Sequence, residues 1–144
     1  MNVESILKEK GRDVATIAPE VNIGQAISLL RRLRIGALVV SGDGKNAVGI
    51  LSERDIIHAL AEHGTKLLDL SVSNLMTREV VTCTPENSIA ELMMQMTERR
   101  IRHIPVIDKG RLAGIVSIGD VVKSRLGEVE GEANSLRQFI TGSN

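Results

Sequence analysis

Two seven-residue stretches carry the side chains best spaced for chemistry: Gly49-Ile50-Leu51-Ser52-Glu53-Arg54-Asp55 and Gly114-Ile115-Val116-Ser117-Ile118-Gly119-Asp120. In each, a serine and an aspartate stand three residues apart where an apolar strand gives way to a helix. As a local device this is a helix start, in which the serine caps and the aspartate sits at the third helical position, both satisfying free backbone N–H groups. The same geometry also serves ligand binding. A helix N-terminus attracts anions, a hydroxyl donates to phosphate, and a carboxylate accepts from both hydroxyls of a ribose.

The remaining reactive side chains offer less. Arg102 and His103 are neighbours on a strand and together suit a phosphate; His103 alone reads as a half-buried structural histidine. Lys10 and Arg12 precede the first strand and suit either a solvated surface, the first reading, or a phosphate contact, and the run Arg31, Arg32, Arg34 reads as a solvated face. His58 and His63 are five residues apart, off one helical face, and no Cys or His cluster completes a metal set. Gly114-x-x-Ser117-x-Gly119 lacks the spacing of a nucleophile elbow, and no histidine is placed as its base. Without a nucleophile–base pair, a metal set or a Walker loop, the expectation is a protein that is not an enzyme.

These groups are positioned by an internal repeat. Val14–Glu20 matches Val80–Glu86 at an offset of 66, which also pairs Ile23 with Ile89, Arg34-Ile35 with Arg100-Ile101 and Gly44 with Gly110. One extra residue near Asn46 shifts the offset to 65, so that Gly49–Ser52 aligns with Gly114–Ser117 and Asp55 with Asp120. Each copy reads as β-α-β-β-α, a mixed α/β (α+β) fold written twice. A short strand (Val14–Thr16; Val80–Thr82) leads to a helix, with Ile23, Ala26, Ile27, Leu30 and Leu33 on one face in the first copy and Ile89, Leu92, Met93 and Met96 in the second. Ser88-x-x-Glu91 predicts a capping box, and Asn22-x-x-Gln25 a weaker one. Two strands follow in each copy, Ala37–Ser41 with Ala47–Leu51 and His103–Ile107 with Leu112–Val116, around Gly-containing turns. Second helices start at Ser52 and Ser117. Cys83 takes the strand position of Ile17, as a small buried apolar group.

The division expected is 1–68 for an N-terminal helix and the first repeat, 69–126 for the second repeat, and 127–144 for a C-terminal helix. Gly64–Met76 joins the copies. The N-terminal helix has Val3, Ile6 and Leu7 on one side, and Leu126, Val129, Ala133, Leu136 and Ile140 form an a/d seam weakened by Gly127 and Gly131. That seam suits either a helix lying on its own domain or one that seals a homodimer. Met93, Met94 and Met96 likewise suit a core or an interface.

Composition removes several classes of partner. Eighteen basic and eighteen acidic side chains give a net charge of zero, and each half carries nine of each sign. The long-range attraction of a nucleic-acid binder is therefore missing. Phe139 is the only aromatic residue, so no base-stacking platform exists. No apolar run is long enough to span a membrane, no signal peptide opens the chain, and Cys83 has no internal disulfide partner; the expected location is cytoplasmic.

The duplicated pattern resembles a tandem CBS-domain pair, the module named after cystathionine β-synthase and also found in IMP dehydrogenase and AMP-activated kinase. The likeness rests on glycine, two hydrophobic residues, serine, two variable residues and aspartate in both copies. It rests also on Arg102-His103-Ile104-Pro105-Val106-Ile107-Asp108 and on Thr77 after Leu75-Met76. It covers residues 3–126. It implies two copies packed with pseudo-two-fold symmetry, sheet to sheet, with two clefts for adenosine-type ligands. Asp55 and Asp120 would hold ribose hydroxyls and Ser52 and Ser117 would face the first phosphate. Thr16, Ile17 and Thr82 would line the adenine edge, and the backbone of Gly36-Ala37-Leu38 and of His103-Ile104-Pro105 would meet the base. Arg54, Arg102 and His103 are the candidate phosphate partners. Because Gly36-Ala37-Leu38-Val39 replaces Arg102-His103-Ile104-Pro105, and Ile118-Gly119 replaces Glu53-Arg54, the two clefts would differ.

The resemblance implies a free-standing regulatory module that accepts AMP in one cleft and NAD(H) in the other, with ATP, ADP and S-adenosylmethionine open as alternatives, and that assembles as a homodimer. A dimerisation scaffold with empty clefts is the competing reading. The sequence names no downstream target.

Overall fold

A computed structural model describes residues 1–141. Asn2 starts the first helix, α1 (Val3–Lys10), its side-chain oxygen accepting from the Ser5 N–H at 3.1 Å. The first copy then runs β1 (Thr16–Ile17), α2 (Ile23–Leu33), β2 (Ala37–Val40), β3 (Gly49–Ser52) and α3 (Glu53–His63). A 3-10 segment (Gly64–Asp69) and a short helix α4 (Val72–Leu75) lead to the second copy, made of α5 (Ile89–Arg99), β4 (His103–Asp108), β5 (Arg111–Ser117) and α6 (Ile118–Thr141).

The duplication is visible in the backbone. Both α2 and α5 end on an arginine in the left-handed conformation, Arg34 (φ 55°) and Arg100 (φ 54°), and the next N–H, of Ile35 or Ile101, returns to Leu30 or Met96. Asn22 and Ser88 cap the two helices by accepting from Gln25 N–H and Glu91 N–H. Only half of the Ser88 box forms, because the Glu91 carboxylate takes the Asn87 amide instead. Between β4 and β5 the turn is Lys109-Gly110, both residues at positive φ (53° and 77°), the geometry that matches the twist of a tight hairpin.

The copies differ at their first strand. In the first, β1 lies parallel to β2, with Val39 N–H on the Ala15 carbonyl and Ser41 N–H on that of Ile17. In the second, the expected Val80–Thr82 strand is reduced to a single parallel bridge between Cys83 and Val106. Pro105 occupies the place of Val39, and its ring nitrogen has no hydrogen to give to Val81. One rung is lost, and the strand with it.

Each copy has its own core. Ile23, Ala26, Leu30, Leu38, Val40 and Leu51 pack with Leu67, Val72 and Met76 from the joining segment. Ile89, Leu92, Met96, Ile104, Val106 and Val116 pack with Val121 and, from the other end of the chain, with Val3, Ile6 and Leu7. The N-terminal helix thus belongs by packing to the second copy, although the sequence places it beside the first. Backbone bonds from Val3 N–H to Asn87 O and from Glu4 N–H to Pro85 O, both 2.9 Å, hold it there. Gly114 permits the approach: a Cβ on it would stand 2.6 Å from Leu7 Cδ2.

Ile50 and Thr77 exchange backbone hydrogen bonds of 3.0 and 2.9 Å and tie β3 to the start of the second copy. The C-terminal helix does not begin at 127. It is continuous with the helix that starts after Ser117, Gly127 and Gly131 included, and beyond Val121 it leaves its apolar residues exposed. Met96 is buried, whereas Met93 and Met94 face outward on α5. No helix among the described residues is long and apolar enough to cross a membrane. Residues 142–144 of the expected C-terminal helix lie outside those described.

Candidate functional site

The strand-to-helix junction of the first copy is a complete capping box. Asp55 N–H donates to Ser52 Oγ (3.4 Å), and Ser52 N–H and Oγ–H both donate to Asp55 Oδ2 (2.9 and 3.1 Å). The second carboxylate oxygen, Oδ1, accepts from the Thr77 hydroxyl at 3.2 Å, which brings the entrance of the second copy onto the helix start of the first. The capping role and an outward-facing oxygen therefore coexist in one side chain.

Around this junction lies a cleft of about 670 Å³ between the copies. Of the residues singled out in the sequence, it brings together Gly36, Ser52, Arg54, Asp55, Arg102 and His103. Glu53, His58, Thr77, Glu79, Val80, Val81, Arg99 and Arg100 complete its walls with the aliphatic Ile50, Ile57, Ile101 and Ile118. Four guanidinium groups thus face three carboxylates. Arg54 donates to the Arg100 carbonyl at 2.8 Å, and among the described residues none of Arg54, Arg99, Arg100 and Arg102 forms an ion pair. Unpaired guanidinium groups beside a helix N-terminus make a site for an anion.

Gly36 keeps the cleft open. A Cβ there would meet Glu53 Oε1 at 2.6 Å and His103 Cε1 at 3.3 Å. Burial pushes the His103 imidazole below its ordinary value, the charge of Lys10 adds to this, and Glu53 and Asp120 oppose it. His103 is accordingly a neutral donor or acceptor at pH 7 rather than a fixed cation.

Ser117 and Asp120 form the equivalent junction elsewhere, with Asp120 N–H on Ser117 Oγ (3.2 Å) and Ser117 N–H on Asp120 Oδ2 (2.9 Å). Thr16, Ile17, Ala37, Leu38, Thr82, Ile104 and Pro105 lie outside the walls of the Asp55 cleft. The side chains of Leu38 and Ile104 are core residues, so any role they have toward a ligand falls to their backbone. Lys10 and Arg12 are not simply solvated: Lys10 binds Asp120, and Arg12 pairs with Glu4 at 2.6 Å and Asp108 at 3.5 Å. Glu79 and Arg99, which were not singled out beforehand, and Thr77 and Arg100, which were noted only for the family pattern and the repeat, come from the other copy. The charge run Arg99-Arg100-x-Arg102 was the sequence signal for the two arginines.

A duplicated helix, antiparallel strand pair and second helix, preceded by a parallel strand in the first copy and a single bridge in the second, with a capped Ser-x-x-Asp junction in each copy, defines the class, and the family comparison agrees. The CBS domain model matches residues 3–62 and again 72–127. The chain belongs to the CBS-domain family, as a tandem pair, and is a regulatory module of that kind. It is similar to the CBS domain-containing protein CBSX3, mitochondrial, of Arabidopsis thaliana, with 32% identity over 97% of this chain and 72% of that protein. Among solved structures it resembles the CBS-domain protein ATU1752 from Agrobacterium tumefaciens (47% identity, TM-score 0.84, 87% of this chain and 99% of that one). It also resembles the CBS pair of MJ0100, solved in complex with 5′-methylthioadenosine and S-adenosyl-L-methionine (26% identity, TM-score 0.78, 89% and 98% covered).

Proposed function

We propose that this protein is a non-catalytic sensor of adenine nucleotides, AMP and NAD(H) foremost, that grips its ligand through the ribose. The observation that carries the reading is Asp55. It stands at a helix N-terminus, inside a cleft between the copies that also holds four arginines with no ion pair among the described residues. In this reading the carboxylate accepts from the ribose hydroxyls in place of Thr77, and Arg54 and Arg102 meet the phosphates. The aliphatic walls sandwich the base. The adenosine ligands in the MJ0100 structure support the same chemistry for a related fold.

Assembly as a homodimer completes the reading. Leu126, Val129, Leu136 and Ile140 are exposed along α6 at a/d spacing. One flank of this seam carries Arg125 and Glu132 and the other Lys123, Glu130 and Arg137, so opposite charges are available on both sides for a second copy. The competing reading, a scaffold with unused clefts, draws on the complete capping boxes, which explain both Ser–Asp pairs without a ligand.

The ultraviolet spectrum of the purified protein separates the two. The chain has no Trp or Tyr, so a co-purified or added adenine compound dominates absorbance near 260 nm. Retention of AMP, NAD+ or NADH through gel filtration, with release on denaturation, supports the sensor. Failure to retain any of them at concentrations well above a micromolar affinity supports the scaffold.

A further inference from the structure

Past Val121 the last helix runs on without a domain to lie on. α6 continues to Thr141, yet among the described residues Val121 is its only buried one, and Leu126, Val129, Leu136 and Ile140 stand 45–73% exposed. A helix end without packing of its own is marginal in water, and Gly127 and Gly131 weaken this one further. The apolar residues keep heptad spacing, with Leu126, Ala133 and Ile140 at a and Val129 and Leu136 at d. Both glycines fall outside the seam, on the side that carries Glu128, Asn134 and Gln138. Arg125 and Glu132 occupy the g positions, and Lys123, Glu130 and Arg137 the e positions.

We propose that a second copy of this chain covers the seam with its own α6, parallel and in register, as a two-stranded coil over residues 126–140. The proposal rests on the homodimer reading above and adds the orientation of the two chains. Charge complementarity sets it. In a parallel coil a g side chain meets the e side chain five residues further along the partner. Arg125 then meets the partner's Glu130, and Glu132 meets the partner's Arg137; each pair has opposite signs and is repeated by the two-fold axis. Glu130, Glu132 and Arg137 form no ion pair among the described residues. Arg125 bonds Glu128 at 2.9 Å, but this exposed pair contributes little and leaves guanidinium donors for a second carboxylate. An antiparallel coil that uses the whole seam stacks Leu126 on Leu136 and Val129 on Ala133. It sets Lys123 against Arg137, and Glu130 and Glu132 each against its own counterpart, all like charges. Sliding that arrangement by one heptad relieves the repulsion but leaves Leu126 or Ile140 without an apolar partner.

Cysteine cross-linking of the full chain, beside sedimentation equilibrium, tests the orientation. Ala133→Cys puts a thiol at the centre of the seam, where only a parallel in-register pair brings it against itself; Gln138→Cys, on the outer side, is the control. The native Cys83 is buried and does not interfere. Mild oxidation is expected to link Ala133→Cys into a covalent dimer and to leave Gln138→Cys unlinked. Glu132→Arg is expected to raise the dimer dissociation constant roughly tenfold, and Glu132→Arg combined with Arg137→Glu to restore it. A wild-type dimer with no cross-link at Ala133→Cys, or with no recovery in the charge-swapped variant, overturns the parallel orientation and leaves the homodimer reading standing. A monomeric wild type overturns both.

Discussion

Lys10 and Asp120, 110 residues apart in sequence, are joined by a 2.6 Å hydrogen bond, whereas Asp55, the repeat partner of Asp120, is met by the hydroxyl of Thr77 at 3.2 Å. The duplication preserved the helix start and its carboxylate but not the group that faces it. Two junctions of one design therefore present different electrostatics, a cation at one and a neutral donor at the other.

The pH response follows from His103. Its folded pKa lies below the ordinary value of 6.5, with burial as the main cause, so the unfolded chain binds its proton more readily. The stability that the neutral imidazole supports is present above that value and is lost as pH falls through the window beneath it. Thermal midpoints between about pH 7.5 and about pH 5.5 should drop more steeply for wild type than for His103→Gln. Parallel curves would show that His103 titrates alike in both states.

Docking of α1 on the second copy is tested at Gly114. An added Cβ would stand 2.6 Å from the end of Leu7, which is only 2% exposed and has little room to retreat. Gly114→Ala should destabilise the protein by about 1–3 kcal/mol in urea denaturation, the usual range for overpacking a core. Truncation of Leu7 to Ala in the same chain should recover part of the loss relative to the sum of the single effects. An unchanged denaturation midpoint in Gly114→Ala would place α1 elsewhere in solution.

The C-terminal seam is tested at Leu136, which is 59% exposed and outside both cores. Leu136→Glu places a charge in the proposed contact and should convert the proposed homodimer to monomer in sedimentation equilibrium. Its own fold should be intact, since exposed substitutions of this kind change stability by only about 0.5 kcal/mol. A dimer that tolerates the change rules out α6 as the seal.

Much of this was legible in the sequence, for identifiable reasons. The repeat survives because each half must build the same helix, strand pair and second helix, and identical demands at Gly49 and Gly114, Ser52 and Ser117, or Arg34 and Arg100 keep identical residues. Local signals such as Asn22, Ser52 and Ser117 at helix starts act over three residues and need no tertiary knowledge. The contacts that escaped are those made across the chain. Nothing in the spacing of Thr77 and Asp55, or of Lys10 and Asp120, says that they meet, because those pairings depend on how the copies pack. The transfer of α1 to the second core is of the same kind, since Val3, Ile6 and Leu7 show only that one face is apolar. The loss of the first strand of the second copy could have been foreseen. Pro105 stands in plain view at a position that must donate a hydrogen bond to it.

The most direct test of the central claim is calorimetric titration of AMP into wild type, Asp55→Ala and Ser52→Ala. If the Asp55 carboxylate holds the ribose, Asp55→Ala weakens binding by about 1.5–3 kcal/mol, roughly 10–150-fold. Ser52→Ala, which removes the other half of the cap, should lose about 1 kcal/mol of stability. Equal affinity for AMP in wild type and Asp55→Ala would contradict the account and leave the aspartate as a helix cap alone.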